Sequence, residues 1–245
     1  MGLLNDAVFY VLDTETTGLD PEVDAVVEVA CTVIQPKEGL YIWSSLVNPN
    51  QEIPPEASAI HHITNHHVLT SPTLTTALQE FGKKLERDRI PTPPDAYVAH
   101  NAEFDADFLP MLRKAPWLCT LRLAKHLFQD LPKYTNQFLR YYFNIYCPEV
   151  EGKAAHRAEA DAIVTARLLK FMLTKLPDDW PNTVEDLIDR INQPILLRTC
   201  RYKKHDGTPW AEVPKDYLLW LLKNKTDMDI DTHFTVDHYY KLGEK

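Results

Sequence analysis

The feature that most constrains this 245-residue chain is Ala7-Val8-Phe9-Tyr10-Val11-Leu12, an apolar run that leads straight into Asp13 and Glu15. An unbroken apolar segment of strand length is the pattern of a central strand covered on both faces. The chain must therefore supply helices for two sides of a sheet. Thr17-Gly18 ends the strand in a turn. Asp13 and Glu15, two positions apart, leave the strand on one face, about 6.5 Å apart in ideal geometry. Adjacent anions repel, and a divalent cation between them is the simplest relief. Hard oxygen donors without a nearby cysteine favour Mg2+ or Mn2+ over zinc. The competing reading is a solvated acidic turn, and the D-x-E pair alone does not separate the two.

Further strands are expected at Ala25 to Ile34 and Tyr41 to Val47, with a hairpin break at Lys37-Glu38-Gly39, and a short buried strand at Ala96 to Ala99. Helical spacing runs from Thr73 to Arg89, where Leu74, Ala77, Leu78, Phe81 and Leu85 share a face. Further helices are expected at Glu103 to Lys114 (with Pro110 as a kink or early stop), Leu121 to Phe128, Asn136 to Phe143 and Ala158 to Lys175. Strands first, then strand and helix in alternation, predict an α/β layer fold with a mixed sheet flanked by helices. Pro177 to Asn182 reads as a linker. Beyond it come a helix at Thr183 to Ile191, a basic stretch at Arg198 to Lys204, a tight turn at Asp206-Gly207, and, after Pro214, a helix with Tyr217, Leu218, Leu221 and Leu222 on one apolar face. The expected division is residues 1–176, a linker at 177–182, and a small α+β module at 183–245.

The formal charge of −9 speaks against a protein that coats nucleic acid with a wide basic footprint. Seven acids and no base fall within residues 1–30, so most of that charge is local. The four cysteines are widely spaced with no C-x-x-C pair, which suggests neither a zinc knuckle nor a dense disulfide framework and fits a reducing compartment. No basic leader or long apolar segment opens the chain, and no run approaches the roughly 20 residues a membrane span requires. The expectation is a cytoplasmic protein with no membrane partner.

Two more clusters carry chemistry. At His100-Asn101-Ala102-Glu103-Phe104-Asp105 a buried strand hands over to a helix. Asn101 fits the N-cap position, which puts Asp105 in the first turn, where the helix dipole favours a carboxylate. Phe104 and Phe108 read as core, Glu103 and Asp107 as solvated charges. The third cluster is His156-Arg157-Ala158-Glu159-Ala160-Asp161. Five helical residues span about 500°, so His156 and Asp161 converge only if His156 lies on the loop before the helix. That arrangement suits a held ligand beside a mobile base, and an isolated histidine there equally suits a surface or capping role. Four carboxylates and one histidine at element ends have the composition that two-metal phosphodiester hydrolysis needs.

The order of these residues resembles a family. Asp13-Thr14-Glu15-Thr16-Thr17-Gly18-Leu19, His100 to Asp105, and His156-x-x-x-x-Asp161 look like the three motifs of the DEDDh 3′→5′ exonucleases, across about residues 7–175. The resemblance implies a ribonuclease H-like fold with a five-stranded sheet. It implies two divalent cations, Mg2+ or Mn2+, on Asp13, Glu15, Asp105 and Asp161, with His156 as general base. Its other implications are 3′→5′ polarity, release of 5′-mononucleotides, and contacts to the terminal nucleotide from Thr16, Leu19, Ile60, His61, Asn101 and Phe104. Ala59 to Thr64 resembles the family's I-H-G-I-T loop, with His62 in place of the glycine. Ordinary packing also accounts for Leu19 and Ile60.

Arg201 to Gly207 and Glu212 to Leu221 resemble the C-terminal module of exonuclease X-like members, with Cys200-Arg201-Tyr202 where those have G-K-Y. Tyr202 beside Arg201, Lys203 and Lys204 suits base stacking and phosphate pairing, or a solvated charged turn. Tyr217 and Trp220 are expected in the module's core. The implied partner is nucleic acid, as single-stranded or frayed 3′ ends, DNA favoured over RNA, with a homodimer open. A polymerase proofreading subunit, an RNase T-like exoribonuclease and a non-catalytic nucleic-acid-binding module are the alternatives.

Overall fold

In the computed structural model, which describes residues 2–152 and 156–242, the first strand runs on past its apolar half. β1 is Phe9–Thr16, β2 Val26–Ile34 and β3 Tyr41–Leu46. Helices α1 (Pro55–His61), α2 (Asn65–Val68) and α3 (Leu74–Asp88) follow, then β4 (Ala96–Ala99), α4 (Ala102–Phe108), β5 (Trp117–Cys119), α5 (Thr120–Leu127), α6 (Asn136–Tyr142) and α7 (Ala158–Leu173). The C-terminal part adds α8 (Val184–Asn192), α9 (Lys215–Asn224) and α10 (Ile230–Leu242). One mixed sheet has the order β3-β2-β1-β4-β5. β1 pairs antiparallel with β2, where Glu15 faces Glu28, and parallel with β4, where Val11 faces Val98.

The period of two in β1 sorts its side chains between two cores. Phe9 and Val11 join the cluster built on α5, α7 and α8, while Tyr10 and Leu12 join Phe81 and Leu85 of α3 on the other face. Asp13 and Glu15 continue the Phe9–Val11 row and so point toward α7. Ala158 and Ala162 of α7 meet Ala30 of β2, and these small side chains let the helix approach the sheet closely. Because β4 runs parallel to β1, both strands end at the same edge, and the chain leaving β4 enters α4 there.

The sheet and its flanking helices match the expected layer fold, with differences at particular elements. β5 has only three residues, too short to show a period in sequence. α4 ends at Phe108, two residues before Pro110, whose ring disfavours helix in the residue preceding it. Ala59 to Thr64 is the end of α1 and a turn, with His62 taking the left-handed conformation (φ 61°) that the family's glycine would adopt freely. Gly18 has a second reason to be glycine: a Cβ there would collide with the Asp24 carboxylate, which accepts hydrogen bonds from Thr17 and from the Asp20 amide.

Residues 177–182 are tied down rather than extended. Trp180 packs on the main core, the Leu4 amide donates to the Asn182 carbonyl, and Leu3 bridges Thr183. Val184, Leu187 and Ile191 of α8 are buried in that same core, not with the residues that follow. A separate core of Cys200, Trp210, Val213, Leu218, Leu221 and Val236 forms behind them. Its β content among the described residues is one isolated bridge, Thr199 to Pro209, so the expected α+β module is almost wholly helical. Arg122 of α5 clamps the two parts. It donates to Asp231 of α10 at 2.5 Å and to the carbonyls of Ile191 and Gln193. Of the two rings expected in the module's core, Tyr217 is half-buried and packs against it, while Trp220 is not core. Leu218 and Leu221 take the inward face of α9, and Trp220, one residue or about 100° behind, is 46% exposed. Among the described residues no helix is long and apolar enough to cross a membrane, and all four cysteines are free.

Candidate active site

The face selected by β1 brings three of the four expected carboxylates together: oxygens of Asp13, Glu15 and Asp161 lie within 4.8 Å of one another. Asp161 reaches them from the first turns of α7. Asp105 stands beside this group rather than within it. It is 4% exposed and accepts a hydrogen bond from Thr14 Oγ1 at 2.9 Å, so the outward row of β1 holds α4 in register with the acids of the inward row. Asn101 occupies the N-cap position of α4 in a left-handed conformation (φ 80°), but its side chain caps nothing and is exposed.

Burial and mutual repulsion dominate the electrostatics. Desolvation, then the charges of Asp105, Asp161 and Glu15, holds the Asp13 carboxyl well above the usual carboxylate range. Glu15 is pushed up to about 8, first by burial and then by Asp161 and Glu28. Burial raises Asp105 to about 7 against the Thr14 hydrogen bonds, and raises Asp161 against the bond donated by Gln137. Arg157, the basic group acting on Glu15, is committed to Glu28. An all-carboxylate donor set whose members repel, with its nearest cation engaged elsewhere, fits hard divalent cations.

His156 lies on the loop before α7, exposed, with φ 56°. It acts electrostatically on Asp161, and its amide hydrogen-bonds that carboxylate, so the two converge as the 500° argument required. Of the expected nucleotide contacts, Leu19 (84%) and Ile60 (56%) are exposed apolar side chains, and Phe104 is half-buried against Phe108. Thr16 and His61 are buried. Thr16 Oγ1 donates to the Gly18 carbonyl, and His61 Nδ1 accepts from the Ile63 amide, with burial lowering its pKa.

Three supports escaped the sequence reading. Gln137 of α6 donates to Asp161 at 2.8 Å. His100 pairs with the Tyr134 carbonyl through Nε2 at 2.7 Å, and its Nδ1 lies 3.0 Å from Thr120 Oγ1, tying the exit of β4 to α5 and the segment before α6. Glu28, 3% exposed on β2, accepts two bonds from Arg157 (2.9 and 2.6 Å) and one from the Ala158 amide. This pair pins the start of α7 between His156 and Asp161. Glu28→Gln is expected to cost roughly 1.5–3 kcal/mol, the range for charged hydrogen bonds. That is less than the loss of a fully buried pair, because Arg157 is 39% exposed and can turn to water. Thermal melting reads the first effect, and steady-state kinetics should show kcat falling more than KM rises. An unchanged melting temperature would refute the pinning role.

Residues 10–169 match the family model described as Exonuclease. Exodeoxyribonuclease 10 of Escherichia coli strain K12 is 31% identical over 232 residues, covering 94% of this chain and 97% of that protein. The structure of exonuclease X in complex with 5′ overhanging duplex DNA superposes with a TM-score of 0.62 at 31% identity, over 75% of this chain and 99% of that one. The nuclease domain of 3′hExo, a DEDDh family member bound to rAMP, shares the fold at a TM-score of 0.56 and 14% identity, over 71% and 94% of the two chains. With its acidic site at one edge of a β3-β2-β1-β4-β5 sheet and the family match across most of its length, the chain belongs to the DEDDh 3′→5′ exonuclease family, whose members hydrolyse phosphodiester bonds with divalent cations.

Proposed function

We propose that this protein removes nucleotides one at a time from 3′ ends of DNA, with Asp13, Glu15, Asp105 and Asp161 holding two divalent cations and His156 as general base. The observation that carries this reading is the cluster of Asp13, Glu15 and Asp161 beside the exposed His156. Bound cations would lower the pKa of a water and stabilise charge on the phosphoryl oxygens. The chain supplies the rest. Asp13 and Glu15 are held by a strand buried on both faces, and Asp105 is anchored by Thr14. His156, on a loop open to solvent, takes a proton from the attacking water and releases it to bulk, and Asp161 orients it through the backbone amide. Exposed Leu19, Ile60 and Asn101, with half-buried Phe104, receive the terminal base and sugar, while buried Thr16 and His61 fix the turns next to Leu19 and Ile60 through their bonds to Gly18 and Ile63.

DNA as substrate is supported by the exodeoxyribonuclease that matches nearly the whole chain. The free cysteines suit the cytoplasm. Residues 1–176 form the nuclease unit with α8 packed onto it, and the residues after α8 form a module clamped by Arg122. With 5′-labelled DNA single strand, DNA duplex and RNA of one sequence, Mg2+ or Mn2+ should produce a ladder shortening from the 3′ end, fastest on DNA, and EDTA should stop it. A ladder of internal cuts, or full activity in excess EDTA, refutes the reading.

A further inference from the structure

Outside the carboxylate cluster, the C-terminal module carries a surface that the exonuclease reaction does not use. Tyr217 and Trp220, one turn apart on α9, stack with ring centroids 5.7 Å apart and planes 13° from parallel. Trp220 is 46% exposed, although a buried tryptophan would contribute more to the module's stability. Together with Tyr202 the two rings line a groove of about 700 Å³ that also carries Lys203, Lys204 and Lys225. Lys204 Nζ sits 5.2 Å over the Tyr217 ring. Lys203 and Lys225 form no ion pair with any described residue. Asp216 is the one acid among the residues lining the groove.

In a chain of formal charge −9, a surface with three lysines to one aspartate runs against the general composition. Flat apolar rings edged by amines match a ligand that presents flat apolar faces and anions at short intervals. A duplex keeps its base faces stacked inside, and an acidic peptide offers no planar faces for the shelf. Unpaired nucleotides offer both. We propose that this groove binds single-stranded nucleic acid, with a base stacked on the exposed Trp220 ring that the half-buried Tyr217 backs, and phosphates on Lys203, Lys204 and Lys225. Arg122 holds the module against α5 and α8, so the groove keeps a constant position relative to the nuclease unit. It rests on the proposed activity only for the source of the strand, which is the one whose 3′ end lies at the carboxylates.

The test is fluorescence anisotropy with full-length protein, in EDTA, on 5′-fluorescein oligothymidylate of about 20 nucleotides, longer than the roughly 4–16 nucleotides one small single-strand-binding fold covers. Without cations the carboxylate cluster has no positive charge to hold phosphate, so binding there does not mask the groove. Trp220→Ala should weaken binding about 5- to 150-fold, the loss of one base–aromatic stack, while Trp220→Phe stays near wild type. Lys203→Gln with Lys204→Gln should lower the slope of log affinity against log salt by about 1.4. Unchanged affinity in Trp220→Ala, equal loss in Trp220→Phe, or an unchanged salt slope in the lysine variant each overturns the proposal. The lysine variant, altered only at exposed positions, still decides if Trp220→Ala fails to fold. Hydrolysis of the same strand by wild-type protein with Mg2+ tests the proposed activity separately.

Discussion

Asp161→Asn is expected to lower kcat by about 10³-fold or more while raising the melting temperature of the cation-free protein. Charge stabilisation by bound cations is worth several kcal/mol, and each 1.36 kcal/mol is tenfold in rate. Asn keeps the shape and can still meet Gln137, but it is a poor ligand and offers the His156 amide a weaker acceptor. The stability change has the opposite sign because Asp161 sits within 4.8 Å of Asp13 and Glu15 and raises the pKa of both. A neutral side chain removes that repulsion. Melting curves in EDTA at pH 8, paired with rates in Mg2+, read both effects. A fall in stability equal to the fall in activity would point to a merely structural aspartate, and wild-type turnover would remove Asp161 from the site.

The second large effect is a reversal of pH dependence by cations. The Glu15 carboxyl ionises near 4.5 in the unfolded chain and at about 8 in the fold, and Asp105 near 3.8 and about 7. Between those values the folded state binds more protons, so stability falls as pH rises. In EDTA the contribution of these groups is fully present below about pH 4 and lost by about pH 8. Divalent cations compete with those protons for the same oxygens. Added Mn2+ should therefore raise the melting temperature little at pH 5.5 and most above pH 8. Differential scanning fluorimetry across that range checks it. A cation-induced shift independent of pH, or one that shrinks as pH rises, would place the ions away from these carboxylates. A smaller pH effect in Asp161→Asn, where burial still acts on Glu15 and Asp105, would tie both predictions to one cluster.

How much of this was legible in sequence differs residue by residue. The apolar run into Asp13 and Glu15 identified the central strand and its acidic end, because six consecutive apolar residues leave little choice but burial on two faces. Asp161 and His156 were readable as a pair only with a loop assumed before α7, and the loop is there. β5 was invisible because three residues carry no period. Glu28 looks like a lone acid in an apolar strand, and its use appears only once α7 lies across β2. α8 followed a proline-rich stretch that reads as a linker, yet Val184, Leu187 and Ile191 complete the main core. Trp220 was not placed by sequence because the six apolar residues Tyr217 to Leu222 on α9 exceed what a small core covers, and sequence does not say which stay outside.

Local patterns are set by neighbours along the chain, so sequence alone determined the central strand, the helix starts near Asp105 and Asp161, and the chemistry of an oxygen-donor site. Distances between acids far apart in sequence depend on strand order and on how closely helix and sheet approach. Only the tertiary structure therefore decided that Asp13, Glu15 and Asp161 share one 4.8 Å cluster with Asp105 set beside it, that Glu28 pins the loop of His156, and that Trp220 faces solvent among lysines beside a half-buried Tyr217.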